Sequence, residues 1–306
     1  MNYLIGLKSE ENDLIEPTSC SFKIYVHGTI ARFYVEKQDY QLAIKHYEHA
    51  LLTGEEEHEN NIDDERQITI AKFHCNIGHC YEALEDYRNC LGHYKKSLEF
   101  NTLDSLLKAN VYFTMASIYE NNEQQYNLAI EYYRKSLIIE SNDSNEDKNK
   151  ELNLASLNNS IGWCYCMLNK QNIALEYCQK SIIIYETTNN IANADYLNVC
   201  GSLALIYYQI NDYDAAWNYC IKSLSIKEIL MNNDLCIIGW IYEILGNIYL
   251  YNNDKTLAFN CYKHSLDLFR KQDQSNATVN NIKRIKQLLN QFNNSNEPLR
   301  KKQKLC

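Results

Sequence analysis

The chain has 306 residues, a net charge of −9, 12 cysteines and only two prolines, Pro17 and Pro298. The acidic balance opposes a broad nucleic-acid surface, which needs clustered Lys and Arg to answer phosphates, and no apolar run approaches the roughly 20 residues that span a bilayer. The opening MNYLIGLKSEEND has no basic region and turns acidic early, so no secretory leader is expected and a cytoplasmic chain with reduced cysteines is.

Residues 1–21 read as an irregular lead-in. From residue 22 onward one pattern recurs six times. A Gly or Ala stands three places before a Tyr at Ala31/Tyr34, Gly78/Tyr81, Ala116/Tyr119, Gly162/Tyr165, Ala204/Tyr207 and Gly246/Tyr249. A second small residue follows at Ala43, Cys90, Ala129, Ala174, Ala216 and Ala258, and seven further on comes Ala50, Ser97, Ser136, Ser181, Ser223 or Ser265. Such a period implies stacked supersecondary units sharing one continuous core, here over residues 22–292, and not two separate domains. The units fall at about 24–57, 71–104, 109–143, 155–188, 197–230 and 239–272.

Each unit reads as two amphipathic helices joined by a polar turn. In the fifth, SLALIYYQ and AAWNYCIKSLSI place apolar residues at i, i+3, i+4 and i+7. KQDY, LEDY, INDY and YNND supply turn chemistry between the arms, and the third unit carries one extra turn residue in ENNEQQY. Small residues let the paired helices approach closely. The tyrosine fills a groove while its hydroxyl reaches solvent or backbone.

Two polar inserts, 54–67 (strongly acidic) and 141–150, belong on the rim. The acidic one reads either as a solvated charge run or as a docking loop. Residues 277–292 form a capping helix, with Val279, Ile282, Ile285, Leu289 and Phe292 on one face and Lys283, Arg284 and Lys286 away from it. Residues 293–306 are expected to be a basic disordered tail. Its Arg300, Lys301, Lys302 and Lys304 fit a short nuclear-import signal and equally a solubilising end. Cys306 is not in a prenylation context.

The pattern resembles the tetratricopeptide repeat, whose signature is W-x2-L-G-x2-Y, then A-x3-F and P. IGHCY with DYRNCLGHYKKSL in the second unit, and LGNIY with LAFNCYKHSL in the sixth, carry the likeness most clearly. The signature tryptophan is replaced by His27, His74, Tyr112, Asn158, Cys200 or Tyr242, and the closing proline is absent. Successive units are 47, 39, 45, 42 and 42 residues apart, longer than in the family and similar to kinesin light chains or Pins-type modulators. The resemblance implies an all-α, right-handed superhelix of six helix hairpins plus a cap, thirteen helices in all. It implies a non-catalytic scaffold that binds an extended protein or peptide segment in a concave groove. The alternative within the same resemblance is a motor-cargo or signalling adaptor.

By that resemblance first helices line the groove. Lys72, Cys75, Asn76 and His79 come from the second unit, and Asn110, Phe113, Thr114 and Ser117 from the third. The fourth gives Ser156, Asn159, Ser160 and Trp163, the fifth Asn198, Gly201, Ser202 and Leu205, and the sixth Trp240, Glu243, Ile244 and Asn247. Amides can satisfy both N–H and C=O of a peptide, and Trp163, Trp240 and Tyr208 would anchor it. The competing reading is a solvated helix surface in an Asn-rich chain. A chaperone-type carboxylate clamp is not expected, since of the matching places only Asn76 fits, while Gly28, Arg32, Asn110 and Thr114 stand where Lys, Asn, Lys and Arg are needed.

No cofactor, metal or membrane is expected. The densest ligand cluster is His74, Cys75, His79, Cys80, Cys90 and His93, but its helical register scatters the side chains over different faces, whereas zinc needs four that converge. Cys90, Cys178 and Cys220 occupy packing slots, where free cysteine behaves as a small hydrophobe. The sequence contains no Walker loop, GxSxG or HExxH.

Overall fold

In the computed structural model, the described residues are 20–56, 64–100, 102–142, 148–191, 193–230, 235–271 and 276–302. They form thirteen helices and no strand: α1 (Cys20–Glu36), α2 (Tyr40–Glu56), α3 (Asp64–Ala83), α4 (Tyr87–Glu99), α5 (Ser105–Asn121), α6 (Tyr126–Asn142), α7 (Lys148–Met167), α8 (Gln171–Thr187), α9 (Ala194–Gln209), α10 (Tyr213–Leu230), α11 (Leu235–Tyr251), α12 (Lys255–Lys271) and α13 (Asn276–Lys302). The chain divides into two compact units, Met1–Ile118 and Tyr119–Cys306.

One turn design joins the two arms of each repeat. A non-glycine residue takes left-handed φ at Gln38, Glu85, Gln124, Asn169, Asn211 and Asn253. The next N–H then donates back to the carbonyl of the recurrent tyrosine, as Asp39 N to Tyr34 O, Asp86 N to Tyr81 O and Asp212 N to Tyr207 O, each at 2.9 Å. This satisfies a helix-end carbonyl that would otherwise lack a partner. The same aspartate caps the second helix: Asp39, Asp86, Asp212 and Asp254 accept from the N–H three residues on at 3.0–3.2 Å. Only α5 and α6 are joined by the longer turn, where Gln125 N donates to Tyr119 O at 2.8 Å.

Helix pairs close on small residues. A Cβ built on Gly78 would lie 2.6 Å from the Tyr94 ring, and one on Gly246 the same distance from Tyr262. On Gly162 it would meet Cys178 Sγ at 2.5 Å and the Ala174 carbonyl at 3.1 Å. Beside this contact the signature tyrosine stacks on a ring of its own partner helix, as Tyr119 on Tyr132 (5.5 Å, 11°) and Tyr207 on Tyr219 (5.5 Å, 7°). The recurrent serines are buried and bonded to backbone, Ser181 Oγ to Ala155 O at 2.7 Å and Ser265 Oγ to Gly239 O at 2.8 Å. A buried hydroxyl needs such a partner.

In the first unit Ala31, Ala43, Tyr47, Ile70 and Ile77 form the core between α1, α2 and α3. In the second, α12 and α13 close over Ala258, Tyr262, Phe269 and Ile285. The capping helix is longer than the 277–292 expected. Its backbone is helical to Lys302, through the first part of the 293–306 tail. Arg300, Lys301 and Lys302 therefore lie on helical backbone, and Lys304 lies outside the described residues. Of the two rim inserts, 57–63 and 143–147 lie outside the described residues, as does the lead-in before Cys20.

Two glycines separate packing from propensity. Gly162→Ala forces its methyl against a sulfur and a backbone carbonyl and should destabilise by about 1–3 kcal/mol. Gly92, in mid-α4, has nothing within 4 Å of its notional Cβ, so Gly92→Ala should stabilise by about 0.5–1 kcal/mol. Urea midpoints that move in opposite directions confirm the pairing; shifts of the same sign refute it.

Candidate functional site

In the second unit α7 packs beside α9 and α9 beside α11, so three first helices form one surface. Close approach of α9 and α11 depends on Gly201, whose notional Cβ would lie 3.2 Å from Ile237 Cγ2. Trp163 of α7 and Trp240 of α11 meet over this surface, with ring centroids 5.4 Å apart and planes 16° from parallel. Expected as two separate anchors, they form one stacked, half-exposed pair. Asn159, Ser160, Asn198 and Asn247 are half-exposed as well. Ser202 is not: it is 5 % exposed and its hydroxyl donates to Asn198 O at 3.0 Å, which corrects its expected place in the strip. Glu243 is drawn under the cap by a bidentate pair with Arg284 (2.7 and 2.6 Å), and Ile244 is buried. Tyr208 packs on Tyr213, its ring centroid 5.8 Å away.

Beneath the strip lie hydroxyls that its residue pattern did not announce. Tyr262 donates to Asn247 Oδ1 at 2.6 Å, and Tyr133 to Glu120 Oε2 at 2.8 Å; the Ser160 hydroxyl also hydrogen-bonds Tyr133. Burial pushes the Glu120 carboxyl up, with Tyr133 and the Cys164 thiol bonding to it and acting the other way. Burial likewise drives the Tyr133 and Tyr94 phenols far up, further raised by neighbouring acids. The Cys178 thiol points at Asn159 Oδ1, 3.8 Å away. Asn198 Oδ1 differs from these: it is buried and without a hydrogen-bond partner. The family's slot for Phe holds Tyr here, and that extra oxygen was the available signal.

In the first unit Lys72, His79 and Asn110 are exposed, and Asn76 and Thr114 half-exposed. Asn76 hydrogen-bonds Tyr47, whose phenol is pushed up to about 12 by burial. His79 Nδ1 lies 2.9 Å from the Tyr94 hydroxyl, which donates to Glu82 Oε2 at 3.2 Å. Cys75, expected on the exposed face beside His79, is 1 % exposed, because α3 is flanked on two sides and buries an extra stripe. Histidines instead pair between arms: His27 with His46 and His74 with His93, each with Nδ1 atoms 3.1 Å apart. Among the described residues no three His, Cys, Asp or Glu gather to hold a metal, eleven cysteines are free thiols, and no helix is long and apolar enough to cross a membrane.

A tetratricopeptide-repeat family model matches residues 24–52, 71–102, 109–143, 197–229 and 238–272. A curated relative, response regulator aspartate phosphatase I of Bacillus subtilis (strain 168), is 29% identical over 153 residues, which are 48% of this chain and 35% of the relative. The chain thus spans about a third of that relative's length. Among solved structures, a Rap protein complexed with competence and sporulation factor aligns with TM-score 0.57 and 14% identity, over 90% of this chain and 74% of the other. A Podosopora anserina putative kinesin light chain of nearly identical repeats aligns with TM-score 0.52 and 14% identity, over 69% and 97%. These likenesses are of fold.

The His74–His93 pair makes stability depend on pH. Two Nδ1 atoms at hydrogen-bond distance share one proton, so one ring accepts and must stay neutral there. Burial, then His93 and Lys96, lower His74 from 6.5 to about 4. Between those values the unfolded chain binds a proton that the native one refuses, so stability is complete above about 6.5 and falls as pH drops toward 4. The loss from pH 7.5 to 5 should be about 2 kcal/mol for this residue. Urea titrations of His74→Gln should show a pH dependence smaller by that amount; an unchanged dependence would discard the assignment.

Proposed function

The chain belongs to the tetratricopeptide-repeat family, and from that premise we propose that it is a non-catalytic scaffold whose second unit holds an extended peptide along α7, α9 and α11. The observation that carries this reading is the Trp163–Trp240 pair, two half-exposed indoles on a surface otherwise built of amides and hydroxyls. Aromatic anchors ringed by polar groups are the usual composition of an interaction hot spot. Asn198 supports it: a buried acceptor without a donor costs about 1–3 kcal/mol, and a main-chain N–H would supply that donor once the half-exposed side chain turned. Asn159 and Ser160 lie on α7 to take the next peptide groups. In the first unit Lys72, Asn76, His79, Asn110 and Thr114 would extend the recognition surface.

Binding without catalysis also fits the thiols. Burial pushes Cys80 up to about 11 and Cys90, Cys166 and Cys200 up to about 12, away from the thiolate a nucleophile needs. The phosphatase name belongs to the Bacillus relative, and the bound signalling factor to the solved Rap protein. They support a regulatory, peptide-recognising role here by analogy of fold. A motor-cargo adaptor taking acidic peptides would want a basic strip, whereas Asn159, Ser160, Asn198 and Asn247 are neutral.

Trp163→Ala should weaken binding of a partner captured from native extract by about 2 kcal/mol or more. It should cost the fold less, about 0.5–1.5 kcal/mol for the lost stack. Lys180→Ala, exposed on α8, should leave affinity unchanged. If both variants bind equally while deletion of 55–65 abolishes capture, recognition resides in the acidic insert and the strip is not the site.

A further inference from the structure

Away from that strip, the turn between α9 and α10 and the end of α11 enclose an open cleft of about 410 Å³. The left-handed Asn211 (φ 64°) ends α9 sharply and places Asp212, Tyr213 and Asp214 at one wall. The Tyr213 hydroxyl donates to Asn211 Oδ1 at 2.9 Å, which fixes the ring. That ring lies 4.2 Å from the ring of Tyr251, tilted by 40°. Trp217, one helical turn beyond Tyr213, completes the lining. Tyr251 is 63% and Trp217 39% exposed, an unusual amount of aromatic surface to leave in water at one place. Among the described residues no Lys or Arg lines the cleft.

We propose that this cleft binds an arginine side chain carried by a partner polypeptide. Aromatic faces are electrostatically negative and attract a cation set over them, and two carboxylates at the wall add to that field. An apolar occupant would bury the Asp214 carboxylate without a partner and take water from Asp212, which is costly, and an acidic one would be repelled. A guanidinium is planar and weakly hydrated, so it can stack on Tyr251 or Trp217 while pairing with a carboxylate in the same plane; an ammonium cannot do both. The positive end of α10 does not stand in its way, because Asp212 Oδ1 already accepts from the Ala215 N–H at 3.1 Å. Asp214 is exposed and forms no ion pair among the described residues. The cleft does not depend on the peptide strip: its aromatic residues, Tyr213, Trp217 and Tyr251, lie outside the strip, and an arginine could arrive with or without a peptide over Trp163.

The test uses the whole chain with nitrogen-15 tryptophan. Its three indole N–H signals are followed by nuclear magnetic resonance, that of Trp217 being the one lost in Trp217→Phe. Acetyl-Gly-Arg-Gly-amide should shift the Trp217 signal saturably, in the millimolar range typical of one side chain (Kd on the order of 1–10 mM). The citrulline counterpart, equal in shape and uncharged, should not. Tyr251→Ala and Asp214→Asn, both at exposed positions, should each weaken the arginine peptide by about fivefold with thermal melts unchanged. An equal response to citrulline, no response up to about 50 mM, or undiminished affinity in both variants overturns the proposal. So does a shift confined to Trp163 and Trp240, which would place the arginine on the strip.

Discussion

A ring on one helix fills the space that a side chain on its partner would need, and much of the molecule follows from that contact. Tyr94 lies over Gly78 and Tyr262 over Gly246, each with ring atoms 2.6 Å from where a Cβ would stand. At Gly78 and Gly246 even a methyl group would collide with the ring, and in all six repeats the first helix carries only Gly or Ala at that level. Because the ring passes between two helices, it is wholly buried while its hydroxyl emerges near the first-helix face. The largest side chains of the core therefore also arrange the polar groups of the surface. Tyr94 reaches Glu82 and His79, Tyr133 reaches Glu120, and Tyr262 reaches Asn247. A Tyr→Phe change in this slot would keep the packing and release the surface.

Two repeats depart from that arrangement. Their ring slot holds Cys178 and Cys220, which fill volume but offer only a weak S–H donor. Cys178 reaches Asn159 at 3.8 Å, and Cys220 turns to the Ile241 carbonyl at 4.0 Å. In these same repeats Asn198 Oδ1 goes unsatisfied, and over them Trp163 and Trp240 stack. Tyr262 gives the Asn247 amide a donor, and Cys178 gives Asn159 a long, weak one, whereas Asn198 Oδ1 has none. The half-exposed Trp163–Trp240 pair and the unsatisfied Asn198 Oδ1 thus share one surface, and the proposed binding strip rests on that coincidence.

Helix number and pairing were legible because a 3.6-residue apolar period, two small positions and a turn signal agree in every repeat, and the extra residue before Tyr126 was visible by simple counting. Periodicity along one helix does not report what neighbouring helices bring to it. Cys75 was placed at the surface because one helix face was counted as core, whereas stacking buries a second. Ser202 was counted as a peptide contact because a hydroxyl at a face position does not reveal that it will bond its own backbone at i−4. The meeting of Trp163 and Trp240 depends on how closely α7, α9 and α11 pack, to which Gly201 contributes by what it lacks, its notional Cβ lying 3.2 Å from Ile237 Cγ2. The tail offered no apolar face from which to read a helix, yet α13 continues to Lys302.

Tyr208 shows how the two surfaces of the second unit connect. Its phenol is raised by burial, then by Tyr213 and Glu243, so it stands between the aromatic cleft and the end of the strip. On the strip side Glu243, 12% exposed at its side chain, is held bidentately by Arg284. A guanidinium from the capping helix thus already sits in a carboxylate site next to a half-buried tyrosine, in the fork geometry that carboxylates favour. The cleft offers the same ingredients, an acid beside tilted tyrosines, without a cation from its own lining. Tyr213 and Tyr251 are close enough for a change in one ring to displace the other, and Tyr208 touches Tyr213 in turn. A ligand that reorders the Tyr251 ring would therefore be felt at Tyr208 through direct ring contacts, with no rearrangement of backbone required.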